Sequence, residues 1–161
     1  MPTKTFVFAL VTFLHDLFTA VWIGGLITLG LSVIPSAKNV VGKGQQTKTL
    51  VDAIQKRHSV WVYVSLAGLV ITGMLQANRT AAFQGLLSFG NTYSAVLAVK
   101  HILVVAMIAI ALYRSLALGS TSTPSQEKLK AGLLITNIVF GVGVLLLSGF
   151  VAALSSSLPA L

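Results

Sequence analysis

Residues 14–35 read LHDLFTAVWIGGLITLGLSVIP. After His15 and Asp16, no charged residue appears until Lys38. An apolar run of this length suits a helix that crosses a bilayer. The hydrocarbon core is about 30 Å thick, and a helix rises about 1.5 Å per residue. The stretch also carries a polar pair at its start, a Trp–Ile–Gly–Gly turn in its middle and a proline at its end. It is a membrane span that holds potential chemistry.

Three further stretches have the same character. The expected helices run near residues 6–34, 59–77, 93–118 and 131–154, with Pro35 stopping the first. The connections between them are short and polar, so sequential neighbours should be antiparallel. The fold expected is an all-α integral membrane protein, a single four-transmembrane-helix up-down-up-down bundle spanning residues 1–161. Composition agrees. The chain is 55% hydrophobic and only 9% charged, and its mean hydropathy is +0.91. A soluble domain normally carries about 25% charged residues, so lipid is the expected solvent for most of this chain.

The formal net charge of +8 does not mark a nucleic-acid binder. Its lysines and arginines lie in the segments between apolar runs, where anionic headgroups attract them. Lys38, Lys43, Lys48, Lys56 and Arg57 fall between helices 1 and 2. Arg114, Lys128 and Lys130 fall on the side of the 3–4 connection, and only Lys4, Arg79 and Lys100 fall on the opposite side. The positive-inside rule then places both termini outside the cytoplasm of a multi-pass plasma-membrane protein. The first apolar run is longer than a signal-peptide core and is interrupted by His15–Asp16, so it is expected to stay as helix 1.

Two connections carry patterns of their own. Residues 45–58 place Leu50, Val51 and Ile54 on one stripe among charges, which predicts an extension of helix 2. Residues 79–91 hold Phe83, Leu86, Leu87 and Phe89 and read as a cap along the membrane surface. Residues 119–126, GSTSTPSQ, read as a plain loop.

The chain has no cysteine, which excludes disulfides, iron–sulfur clusters and covalently attached c-type haem. Four ionisable groups fall inside the expected spans: His15 and Asp16 in helix 1, Lys100 and His101 in helix 3. Such groups are costly in a bilayer and are functional candidates by default. His15 lies roughly 14 Å into helix 1 and His101 roughly 12 Å into helix 3. Two inward histidines at matched depth on diagonal helices are what a b-type haem needs for its axial ligands. Small residues would make room for it. Helix 2 carries Ser65, Gly68, Thr72 and Gln76 on one face, and helix 4 carries Asn137, Gly141 and Ser148. Gly25 shares the His15 stripe beside Trp22. Trp22, Gly25, Gly68 and Gly141 are therefore the pocket candidates, and Arg79 and Lys100 the propionate candidates. The same small-residue stripes also serve ordinary helix packing, and the histidines also read as a buried hydrogen-bonded pair. Asp16 and Lys100 are expected to pair at the outer end, with a proton route or a quinone contact as the alternative. His58, after Lys56–Arg57, reads as an interfacial solvated histidine, and Arg114 as an anchor that snorkels.

A copper ion is the rival cofactor, held by His15, Asp16 and His101. Cu(I) prefers thiolate and thioether ligands, of which this chain offers only its three methionines.

Residues 14–35 resemble helix 1 of the copper-resistance D (CopD-type) membrane proteins, in which a histidine precedes an aromatic-x-Gly-Gly turn and a proline closes the helix. Residues 57–73, RHSVWVYVSLAGLVITG, resemble their next helix, with its Arg-x-Ser start and Thr-Gly end. Residues 99–114, VKHILVVAMIAIALYR, resemble the segment with a lysine-rich start and an arginine end. A weaker likeness runs to four-helix b-type cytochromes and to HemJ-type haem-dependent protoporphyrinogen oxidases. The first resemblance implies copper uptake; the second implies haem. His101 departs from the CopD-type pattern, which has an apolar residue there, and this departure favours a small membrane cytochrome. Three functions stay open on the sequence: a haem protein for electron transfer or oxidoreductase chemistry on a quinone at the outer face, a copper transporter, and a cofactor-free accessory subunit. The small-residue stripes also permit a homo-oligomer.

Overall fold

A computed structural model describes residues 3–77, 82–118 and 123–156. Helix α1 runs Thr3–Val41, α2 Gln45–Ala77, α3 Thr92–Leu116 and α4 Pro124–Ser156, with no strand among the described residues. All four are long and apolar enough to cross a membrane. Large apolar side chains such as Phe6, Phe13, Leu31, Val105 and Leu146 are exposed along them, a surface that suits lipid better than water.

Helix α1 does not stop at Pro35. It runs on to Val41 through two π-helical turns, Ala20–Gly24 and Leu29–Val33. A proline inside a helix lacks an N–H and clashes with the carbonyl four residues back. The wider turn at Leu29–Val33, immediately before it, takes up that misfit. The helix ends at Gly42, whose φ of 88° is open to glycine and strained for other residues. Its N–H caps the Lys38 carbonyl at 3.1 Å, and its own carbonyl accepts the Thr47 hydroxyl. The chain turns there and enters α2 at Gln45, so the amphipathic stretch 45–58 is helical as its pattern predicts.

The start of α4 corrects the loop reading of residues 119–126 at its end, where Pro124 to Gln126 are helical; residues 119–122 lie outside the described residues. Thr123 and Gln126 form a reciprocal cap: the Thr123 N–H donates to Gln126 Oε1 at 2.9 Å, and the Gln126 N–H to Thr123 Oγ1 at 3.4 Å. Pro124 occupies the first turn, where its missing N–H costs nothing. Residues 82–91 are irregular. They are pinned to α3 by Asn91, whose side chain accepts from the Ser94 N–H and donates to the Ala82 carbonyl, both at 2.7 Å.

The chain divides into two compact units, Met1–Gln76 and Ala77–Leu161. In the first, α1 and α2 are antiparallel. Residue by residue, His15 meets Thr72 and Gly73, Phe18 meets Gly68, and Gly25 meets His58, so one number rises as the other falls. In the second unit α3 packs on α4, with Leu103 against Gly143. A parallel arrangement would put Leu116 and Pro124 roughly 48 Å apart at about 1.5 Å per residue. The connection between them reaches at most about 28 Å. The pair is antiparallel.

Candidate functional site

The three histidines differ in what holds them. His15, half-buried on α1, places Nδ1 2.9 Å from Thr72 Oγ1. Thr72 is 4% exposed, and its hydroxyl also lies 2.7 Å from the Gly68 carbonyl. The His15 ring is thus held at its Nδ1 edge by a buried hydroxyl. On α3, His101 Nδ1 lies 2.7 Å from the Leu97 carbonyl. A carbonyl only accepts, so His101 donates from Nδ1. Both side chains singled out by their depth are thus oriented through Nδ1. A metal-ligating histidine is commonly held in this way, with a partner at one ring nitrogen fixing the ring and the other nitrogen ligating.

His58 corrects the expectation of a solvated histidine. Helix α2 begins well before it, so His58 lies in the helix interior and its ring lies against α1. A Cβ added at Gly25 would land on that ring. Its Nε2 is buried and has no hydrogen-bond partner among the described residues. The surface position inferred from Lys56–Arg57 fails because α1 covers this face of α2.

Two pocket glycines are likewise occupied from within the unit. Gly25 takes the His58 ring, and Gly68 takes the Phe18 ring. These two positions serve helix packing, the other role the small-residue stripes allowed. Gly73 is different: a Cβ there would stand 3.7 Å from His15 Cε1, in ordinary contact. Trp22 is 1% exposed with its Nε1 buried, and Gln76 Nε2 is also buried; neither atom has a hydrogen-bond partner among the described residues. The stripe Ser65–Gly68–Thr72–Gln76 does face inward, with Ser65 and Thr72 both buried.

In the second unit, Leu134, Asn137, Gly141 and Val144 form the buried face of α4. Asn137 is fully buried, and neither end of its amide has a partner among the described residues. Such a group normally costs about 1–3 kcal/mol. Replacing Asn137 with leucine, close in size and apolar, is expected to raise the unfolding midpoint in detergent by a matching amount. An unchanged or lowered midpoint in thermal or SDS unfolding would mean that the amide is satisfied. Lys100 is half-buried on α3, Asp16 is exposed on α1, and Arg114 is half-buried with its Nε covered. Arg79 lies outside the described residues.

Compared with known protein families, curated proteins and solved structures, the chain matches none. Its function has to be argued from its own residues. Among the described residues, no three side chains of His, Cys, Asp or Glu group as a three-ligand metal site would need.

Proposed function

We propose that this is a membrane-embedded b-type haem protein, a four-helix bundle with His15 and His101 as the axial ligands and electron transfer as its work. The observation that carries this reading is the pair of Nδ1 anchors. The His15 ring is held at Nδ1 by Thr72 Oγ1, 2.9 Å away, and the His101 ring by the Leu97 carbonyl at 2.7 Å. Imidazoles fixed at Nδ1 suit an iron that takes one at Nε2 from each side. A cation held by Asp16 as well would need a carboxylate that sits exposed on α1.

A bound haem supplies one-electron redox chemistry at its iron. The protein's part is to hold and tune it. Thr72 and the Leu97 carbonyl keep the ring planes fixed. With both axial positions filled by protein, no iron position remains for a substrate, which favours electron transfer over ligand activation. Buried Trp22 and Gly141 supply apolar wall, and Lys100 and Arg79 supply cations for the propionates. The apolar exterior and the placement of Lys and Arg between the spans support a multi-pass plasma-membrane protein with both termini outside the cytoplasm. A quinone or a redox protein at the outer face is the partner class that fits a haem in the outer half.

The test is the optical spectrum of detergent-purified protein made with ample haem. Reduction by dithionite should sharpen the α and β bands of a six-coordinate low-spin haem. No Soret band, or a high-spin spectrum, would refute the bis-histidine assignment.

A further inference from the structure

Gln76 stands beside the residues of α2 that hold His15. It lies four residues beyond Thr72 and three beyond Gly73 on α2, so the three form one local patch of the helix surface. His15 rests on that patch, its Nδ1 on Thr72 and its Cε1 over Gly73. Gln76 therefore stands one helical turn, about 5–6 Å, from the Thr72 that holds His15, displaced toward the C-terminal end of α2. Its Nε2 is buried and has no hydrogen-bond partner among the described residues. An amide N–H donor withdrawn from solvent is expensive unless something accepts from it.

An acceptor is what a haem brings to this place. Its edge carries two propionate carboxylates, each an acceptor for N–H donors, and a hydrogen bond to a charged acceptor is stronger than one between neutral groups. The porphyrin extends sideways from an axial imidazole, so its carboxylates fall within a helical turn or two of the ligand. Gln76 lies in that range and at the end of α2 where the charge pattern places the outer face. A neutral amide also suits the position better than a lysine or arginine, because it needs no counter-ion when the site is empty.

We propose that Gln76 recognises a haem propionate, with its Nε2–H donating to the carboxylate, so that the site selects a porphyrin with a free acid edge. The inference rests on the haem reading above. Its test is direct titration of the full-length wild type, Gln76→Leu and Gln76→Ala with haem and with haem dimethyl ester. The wild type should bind haem more tightly than the ester. Both variants should bind the ester as the wild type does and lose about tenfold in preference for haem, the usual worth of one hydrogen bond to a charged group. The propionate-bending band in the resonance Raman spectrum should shift in both. An unchanged preference and an unchanged band in Gln76→Ala would overturn the role of Gln76 and leave the haem reading standing. Failure of the wild type to take up either porphyrin would overturn both. Should Gln76→Leu fail to fold, the smaller Gln76→Ala change decides.

Discussion

Alanine at His15 or at His101 is expected to abolish the six-coordinate low-spin spectrum, each substitution alone being sufficient. Among the described residues, the side chains that meet the α1–α2 contact are already engaged: the Thr72 hydroxyl lies against His15 Nδ1 and the Gly68 carbonyl, and the Nε2 of His58 is covered by α1. On the bis-histidine proposal, loss of either ligand would leave an iron with one protein ligand, and haem content should fall to a small fraction of wild type. Haem that remains should be high-spin and open to carbon monoxide, which the wild type should exclude. The checks are haem content per chain and the carbon monoxide difference spectrum of purified variants. Alanine at His58 serves as the contrast: it should keep haem, because that ring packs between helices. Full retention of low-spin haem by His15→Ala or His101→Ala would remove that residue from the ligand set.

The second large effect concerns stability. Gly68 lies under the Phe18 ring, and any side chain there overlaps it. Gly68→Val is expected to destabilise the α1–α2 pair by roughly 1–3 kcal/mol, the usual range for overpacking. Close backbone approach at small residues is the main source of helix adhesion in lipid. Gly25→Ala should do likewise against the His58 ring. The signature that separates these from general helix effects is rescue. Phe18→Ala should recover most of the Gly68→Val loss, and His58→Ala most of the Gly25→Ala loss, in a double-mutant cycle read by SDS or thermal unfolding. Additive losses would mean that the rings and glycines do not meet.

These contacts show where the sequence was readable. Four apolar runs sufficed to locate α1 to α4, because hydropathy over about 20 residues is a strong signal. Helix ends were less legible. Pro35 reads as a stop, yet α1 passes it because a π-helical turn precedes it, and nothing in LGLSV announces that turn. The start of α4 was legible in principle: Thr123-x-x-Gln126 is a capping box with proline in the first turn, hidden by its serine- and threonine-rich surroundings. His15 and His101 stood out because ionisable groups in apolar spans are rare. Their Nδ1 anchors did not, since one depends on a hydrogen bond between residues 57 positions apart and the other on backbone geometry. His58 was misplaced for a related reason. Its surroundings depend on how α1 registers against α2, which Gly25 and Gly68 set together. Asn137 was visible on its stripe with Gly141, but its complete burial follows only from packing.

The most direct measurement on the central claim is a joint haem and metal analysis of the purified wild type. A pyridine haemochrome assay should give one b-type haem per chain, and elemental analysis one iron per chain with no stoichiometric copper. Copper at one per chain without haem would contradict this account and assign His15 and His101 to a copper site, and neither metal after expression with ample haem would leave the protein without the cofactor proposed for it.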